Sequence, residues 1–442
     1  MKRFLTAFIA LVTLAWAAQA LSTSAVAAGV LANPWAVREH ALTLTGLWSF
    51  ALMSLTMVLG TRPAWLEGPF GGMDRIYRIH KWAGILATGF AALHWLIEMS
   101  DAIIRALWGR AGRLPRDHGG GALEAMRDVA EELGEFAIYA LLAMLVLSLW
   151  KRFPFRIWRY LHKLMPALYL ALAFHAAFLA PLDYWTQPVG LLLAVLIAAG
   201  AIASVWALAG RIGHHRRVGG VVESVRTPGA GITEVGCRLD GGWRGHRPGQ
   251  FAFVTFDRVE GAHPFTIASA DRGDRRITFE IKALGDYTRG LAQRLQPGQA
   301  VQIEGPYGRF DLPTGRGQRD QVWIAGGIGV TPFIAWLEAL QTTPDQAPDA
   351  DLYYCVRDRD SDPFVARLEA LCAQLPALRL QVISSARDES LSAATLSDRA
   401  GTDAVTEVWY CGPQGLADKL RKGLRQMGAA RFRFHQEAFE MR

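Results

Sequence analysis

Six stretches of mainly apolar residues, at 4–21, 39–60, 76–99, 133–150, 157–179 and 187–209, fill the first half of the chain. Each is long enough, or nearly so, to cross a bilayer as a helix. Past residue 217 the pattern changes. Residues 218–312 alternate apolar and polar positions in short segments, such as 250–256 and 276–282, separated by Gly and Pro. That pattern predicts an antiparallel β-barrel. From 320 onward, apolar strands at 321–325, 351–356, 379–383 and 407–411 alternate with helical stretches, as in an α/β domain with a parallel sheet. The expected architecture is multi-domain: an all-α six-helix transmembrane bundle over 1–211, an antiparallel β-barrel over 212–315, and an α/β nucleotide-binding domain over 316–442.

Composition agrees with this division. The 442 residues are 51% hydrophobic and only 20% charged, less charge than a soluble chain of this length carries. The net charge of +7 raises the question of nucleic acid. Lys and Arg form no stripe with interleaved aromatics, however; many sit at the ends of apolar segments, so lipid rather than nucleic acid is the expected partner. Four basic groups fall on one side if every segment crosses once: Lys2 and Arg3; Arg62, Arg75 and Arg78; Lys151, Arg152, Arg156 and Arg159; and Arg211, Arg216 and Arg217. The excess of positive charge on the cytoplasmic side then puts the soluble half in the cytoplasm and turns a 100–132 loop outward. The first segment, with Lys2-Arg3 before it and small residues up to Ala28, reads either as a retained helix or as a cleaved secretory signal; the orientation of the other five is the same in both cases. Cys237, Cys355, Cys372 and Cys411 all lie in the soluble half at no metal-ligand spacing, which argues against disulfides and zinc.

Of 11 histidines, four lie deep in apolar segments: His80 and His94 in the third, His162 and His175 in the fifth. Ionisable groups there are functional candidates. Fourteen residues of helix rise ~21 Å and end about 40° short of whole turns, so His80 and His94 share a face. Thirteen residues, from His162 to His175, give a similar rise, but the faces diverge by about 140° in an ideal helix. Pro166 removes a hydrogen bond and clashes with the His162 carbonyl, so a kink there is expected to restore the facing. Two stacked pairs, His80–His162 and His94–His175, would then each hold a haem iron from both axial sides, making two b-type haems. The plain alternative is four histidines hydrogen-bonded separately within the bundle.

In the soluble half, His263-Pro264-Phe265-Thr266 ends a barrel strand and offers a flavin ring an aromatic wall and a hydroxyl. Gly285-Asp286-Tyr287-Thr288, just after Lys282, opens a helix whose amides suit a pyrophosphate. Gly305-Pro306-Tyr307-Gly308 closes the barrel. Gly326-Gly327-Ile328-Gly329-Val330-Thr331-Pro332 follows a strand and precedes a helix, a second place for a phosphate or else a tight turn. Cys411-Gly412-Pro413 ends another strand of the same sheet, where loops face ligand. Cys411 is either part of that site or a buried structural thiol.

In this order the motifs resemble the ferric reductase and NADPH oxidase superfamily in its compact bacterial form, over nearly the full length. The soluble half is similar to the ferredoxin–NADP reductase fold. The family has Trp more often than Tyr at position 287. The resemblance implies that His263, Phe265 and Thr266 contact FAD, that Lys282 and Thr288 hold its phosphates, and that Thr331 and Cys411 face the nicotinamide. It also implies that Phe439, in the run 434–439, shields the flavin, unless it merely packs. Ser384, Ser385 and Arg387, with Arg357, stand where reductases of this fold hold the ribose phosphate, which favours NADPH over NADH.

The resemblance further implies a multi-pass protein of the bacterial inner membrane. It would move electrons from cytosolic NAD(P)H through FAD and two haems to an extracytoplasmic ferric chelate or O2. Hydride carries two electrons and six-coordinate haem accepts one, so a flavin between them is the necessary converter. Arg105, Arg110, Arg113 and Arg116 in the outer loop suit a ferric chelate, and His118 could bind metal. Two other readings stay open: an electron donor to a periplasmic partner protein, and a flavin reductase anchored by a haemless bundle.

Overall fold

The computed structural model describes residues 2–22, 33–113, 121–150, 152–312, 321–399, 406–427 and 432–437. Phe439, Arg116, His118, Lys151 and Ala28 lie outside the described residues. The chain forms two compact units, one of Met1–Phe70 with Arg75–Ile212, the other of Gly71–Asp74 with Gly213–Arg442.

The first unit is a helical bundle: α1 (Lys2–Ser22), α2 (Pro34–Gly60), α3 (Ala64–Phe70), α4 (Met73–Met99), α5 (Asp101–Trp108), α6 (Ala122–Leu149), α7 (Phe155–His162), α8 (Met165–Leu179) and α9 (Pro188–Leu208). Among the described residues six segments are long and apolar enough to cross a membrane, with α4 and α5 together making one and α7 and α8 another. Asn33 caps α2 by accepting from the Trp35 amide, and Pro34 takes a first-turn position that needs no N–H. The helix therefore starts earlier than the apolar pattern does. The expected loop over 100–132 is largely helical where it is described. Residues 122–132 are rich in Ala, Leu, Glu, Met and Arg, strong helix formers that extend α6 upstream of its apolar part. Polar side chains inside the bundle bond to one another and to backbone carbonyls: Ser49 Oγ donates to Ala87 O (2.9 Å), and Tyr169 sits 2.9 Å from Ser54 Oγ and 3.0 Å from Leu196 O. α1 is packed into the bundle, with Val12 buried, Trp48 donating to Thr13 and Gln19 to Asp183.

The fifth segment breaks where its proline requires. α7 ends at His162; Lys163 and Leu164 form a turn, and Pro166 enters the first turn of α8. Lys163 and Leu164 donate to Arg159 O and Leu161 O. The amide that would have met the His162 carbonyl does not exist in proline.

The second unit holds two sheets. The strands β1 (Arg217–Gly229), β2 (Ile232–Leu239), β3 (Phe251–Thr255), β4 (His263–Thr266), β5 (Arg276–Lys282) and β6 (Ala300–Tyr307) form an antiparallel sheet in the order β4-β3-β6-β1-β2-β5. One bridge, Ile267 to Phe279, joins its two edges, so it approaches a barrel without a continuous closing ladder. The other strands are β7 (Gln321–Gly326), β8 (Ala350–Val356), β9 (Leu378–Ser384), β10 (Thr406–Cys411) and β11 (Phe432–Glu437), all parallel, in the order β11-β10-β7-β8-β9. Four match the sequence pattern, while β11 reads as a tail in sequence because charges interrupt its alternation. The order reverses between β7 and β10, and a crevice opens beyond the carboxyl ends of strands at such a switch point. Two sequence-marked turns, 326–329 and 411–413, lie there.

The two lobes share named contacts. Trp336, on the helix Thr331–Leu340, donates to Pro248 O (3.1 Å) and Phe310 O (3.2 Å). Gly249 lies beside it at φ +92°, and a Cβ there would meet Phe310 O at 1.9 Å, so no other residue fits. Arg367 bridges Glu280 on β5 (2.9 Å) and Glu338 (2.7 Å). Burial, reinforced by Glu234 across the strand pair, pushes the Glu280 carboxyl up to about 7 against the pull of Arg367. An acid raised on folding binds its proton in the native state while the unfolded chain has lost it. Stability should therefore fall as pH rises from 4.5 towards about 7. Denaturant midpoints followed by tryptophan fluorescence at pH 5 and pH 8 measure this. Glu280→Gln should flatten the difference, and equal differences in the two proteins would contradict it.

Candidate functional site

The break after His162 brings the four membrane histidines into two facing pairs. The ring centres of His80 and His162 are 6.1 Å apart and nearly perpendicular (73°); those of His94 and His175 are 6.4 Å apart (79°). Three of the rings are tied to backbone. His80 Nδ1 lies 3.0 Å from Thr56 O, His94 Nδ1 2.9 Å from Leu42 O, and His175 Nδ1 2.7 Å from Ala130 O. A carbonyl only accepts, so each Nδ1 carries the proton and each Nε2 presents a lone pair. His162 differs: its Nδ1 has no hydrogen-bond partner among the described residues, and its ring stacks on Trp158 (4.9 Å, 20°). Met53, Thr56, Gly84, Leu141, Met165 and Leu168 line the space around the first pair.

These residues fit haem iron. A metal–imidazole bond of about 2 Å on each side, plus the distance from nitrogen to ring centre, separates two axial ring centres by about 6 Å. Among the described residues no group of three or more His, Cys, Asp or Glu could hold a bare ion. Two imidazoles alone suffice for an iron whose other four ligands come from a porphyrin. The carbonyls of Leu42, Thr56 and Ala130 were invisible to sequence reasoning, since backbone groups carry no residue signature.

In the second unit, the residues that the sequence marks for a flavin cluster. The His263 ring stacks on Tyr287 (4.1 Å, 11°) and lies 6.4 Å from Phe265. Pro264 pairs with Phe253 and Thr266 with Phe251 in the sheet, and Thr266 is buried. Burial pushes the Tyr287 hydroxyl up to about 12. Thr288 Oγ1 accepts from the amides of Leu284 and Gly285 (both 3.0 Å), closing the turn that opens the helix Asp286–Arg289. Those two amides are thus already engaged. Lys282 leaves this group and points at the glycine turn of the other lobe: its Nζ would be 3.9 Å from a Cβ on Gly327.

At the switch point the two turns interlock. A Cβ on Gly329 would stand 2.3 Å from Cys411 O, one on Gly326 2.6 Å from Pro413 Cδ, and one on Gly412 2.9 Å from Gly326 N. These glycines permit backbone-to-backbone approach between the turns, beyond any role in admitting a phosphate. Thr331 is buried, its hydroxyl donating to Ile328 O, and Pro332 starts the following helix. Cys411 is fully buried, and its thiol is held well above the usual range by burial and by nearby Glu437. Glu437 lies opposite Cys411 in the β10–β11 register and near Gly308, whose Cβ would stand 3.2 Å from its Oε1. Sequence reasoning passed over Glu437; its place beside a candidate site emerges only from strand pairing.

At the end of β9, Ser384 is fully buried, with its hydroxyl turned to Arg357 O (3.4 Å). Ser385 Oγ also reaches Arg357 O (3.3 Å), and Arg387 grips both oxygens of Asp360 (3.0 and 2.9 Å). The corner thus leaves Ser385, Arg357 and Arg387 at the surface.

Comparison with known proteins gives three matches in order. Residues 45–173 match the family described as ferric reductase like transmembrane component, 238–311 an FAD-binding domain, and 323–422 an oxidoreductase NAD-binding domain. The vanillate O-demethylase oxidoreductase of a Pseudomonas species is 29% identical over 152 residues, 34% of this chain and 45% of that protein. The heme-dependent oxidative N-demethylase beta subunit of Ectopseudomonas mendocina is 31% identical over 152 residues, with the same coverage. The chain spans about half the length of the curated relatives it matches. The flavohemoglobin of Malassezia yamatoensis aligns at 16% identity and a TM-score of 0.46, covering 77% of this chain and 92% of that one.

Because Gly329 abuts the Cys411 carbonyl, Gly329→Ala should force the two turns apart. Steady-state assays should show kcat/KM for NAD(P)H reduced by roughly tenfold or more, with FAD content unchanged. Wild-type kinetics would show that the interlock is not needed.

Proposed function

We propose that this chain, which joins a ferric reductase like transmembrane component to an FAD-binding domain and an oxidoreductase NAD-binding domain, draws electrons from cytosolic NADPH and delivers them across the bacterial inner membrane. The acceptor on the far side is a ferric chelate or O2. The observation that carries this reading is the pair of imidazole gaps, 6.1 and 6.4 Å, stacked along one bundle.

FAD, when bound, supplies the conversion from a two-electron hydride to single electrons, and haem iron supplies single-electron carriage. His80 with His162, and His94 with His175, would hold the two irons through Nε2. The Nδ1–H bonds to Thr56, Leu42 and Ala130 fix three of the rings and raise their donor strength. His263, Phe265 and Tyr287 would exclude water from the flavin, and Thr266 would offer it a hydroxyl. The turns at 326–329 and 411–413, with Thr331 and Pro332, would seat the nicotinamide nucleotide at the switch point. Lys282, facing Gly327, would neutralise phosphate charge there. Cys411, kept a protonated, uncharged thiol by burial and by Glu437, would face the nicotinamide. Phe439 would shield the flavin. Arg357, Ser385 and Arg387 favour the 2′-phosphate of NADPH. The basic clusters between spans support a cytoplasmic position for this half.

A second reading, electron donation to a periplasmic protein, draws on relatives whose names describe reductase or electron-transfer components. It expects slow turnover with free chelates and O2 until the partner is added. The test supplies NADPH to one side of sealed vesicles and measures ferric reduction and superoxide on the other, with and without oxygen. Reduction across the membrane is expected. His94→Leu should abolish it, along with one b-type absorbance, while NADPH-driven flavin reduction persists. A purified protein without any b-type reduced-minus-oxidised spectrum would end the haem reading and leave a membrane-anchored flavin reductase.

A further inference from the structure

Each of the three backbone-tied histidines meets a glycine at the same offset. His94 donates to Leu42 O and lies against Gly46; His80 donates to Thr56 O and lies against Gly60; His175 donates to Ala130 O and lies against Gly134. In every case the glycine is four residues after the accepting carbonyl, so it stands directly above it on the helix face. A side chain at that position fills the groove through which the imidazole reaches the carbonyl. The clearances are graded. A Cβ on Gly134 would be 2.4 Å from both Nδ1 and Cε1 of His175. One on Gly46 would be 3.1 Å from His94 Nδ1, and one on Gly60 3.7 Å from His80 Cε1.

The spacing on α2 repeats that of the histidines. Leu42 and Thr56 are fourteen residues apart, as are Gly46 and Gly60, and as are His80 and His94 on the neighbouring α4. Glycine is unfavourable inside a helix relative to alanine, so Gly46 and Gly134, both interior to their helices, need a reason; Gly60 is the last residue of α2. Gly89, on the helix that carries two of the histidines, has nothing within 4 Å of its Cβ position and serves as a control.

Resting on the reading of these histidines as haem ligands, we propose that Gly46 and Gly134 are positioning residues, while Gly60 leaves room for a Cβ. They keep the carbonyls of Leu42 and Ala130 open to Nδ1–H, which sets both the rotation of each ligand ring and its donor strength. Among the described residues His162 has no such carbonyl, and its ring stacks on Trp158, which donates to Ser148 Oγ. Tuning through backbone acceptors is therefore complete in the His94–His175 pair and half-complete in the His80–His162 pair.

The test purifies the full chain with its cofactors as wild type and as Gly134→Ala, Gly46→Ala, Gly60→Ala and Gly89→Ala. Readouts are haem per FAD, the g-values of the ferric low-spin signals, and the midpoint potential of each b-type absorbance. Gly134→Ala should lose one haem or shift one set of g-values, with that haem's midpoint moving upward as its ligand becomes a weaker donor. Gly46→Ala should shift the same haem less, and it carries the test if Gly134→Ala does not fold. Gly60→Ala should lie close to wild type, and Gly89→Ala should match it. Retained haem with wild-type g-values and midpoints in both Gly134→Ala and Gly46→Ala would overturn the proposal, as would equal effects in all four variants. A wild-type protein without haem would instead fail the reading on which the proposal rests.

Discussion

An unbroken fifth span would send His162 and His175 to faces about 140° apart, and only one of them could meet α4. The turn at Lys163 and Leu164 removes that conflict, and the rest of the membrane unit depends on it. Proline contributes by what it lacks: without an N–H, residue 166 cannot close the hydrogen bond to the His162 carbonyl, so the helix restarts there. Helix α4 needs no such break, because fourteen residues return nearly to the same face. One helix satisfies the two-station spacing by its natural period and the other by an interruption.

Helix α2 completes the arrangement without contributing a histidine to either pair. Its carbonyls at Leu42 and Thr56 lie at the spacing of the α4 histidines, and the two helices run antiparallel in matching register: Leu42 meets His94 and Thr56 meets His80. Backbone acceptors are well suited to this role inside a bilayer, since they bring no extra polar side chain into the hydrocarbon region. His175 draws on α6 in the same way, through Ala130. The charged first turns of α6, which prolong the helix beyond its apolar part, are what put that carbonyl within a regular helix.

The second unit solves a different problem, bringing two glycine-containing turns together at the reversal of a parallel sheet. Gly326, Gly329 and Gly412 interlock with Cys411 and Pro413 so closely that no Cβ fits at Gly329. The nucleotide lobe is joined to the flavin lobe through Trp336 and through Arg367 between Glu280 and Glu338. Glycines that read in sequence as phosphate-binding turns thus also serve packing, and Lys282 reaches from one lobe to the turn of the other.

The sequence by itself determined the six apolar spans, both sheets in outline, and the four membrane histidines with their spacings, because hydrophobic period and residue type are local properties of the chain. It also showed where the fifth span must bend, since proline's missing donor needs no tertiary context. Tertiary structure alone decided that the barrel's edges meet at one bridge, that residues 432–437 pair as a strand, and that Glu437 stands beside Cys411. It decided likewise that Ser384 is buried while Ser385 is exposed, and that Gly46, Gly60 and Gly134 face imidazoles. Each of these depends on which distant segment lies opposite. Register between elements is fixed by their mutual packing and is written in no single stretch of the chain.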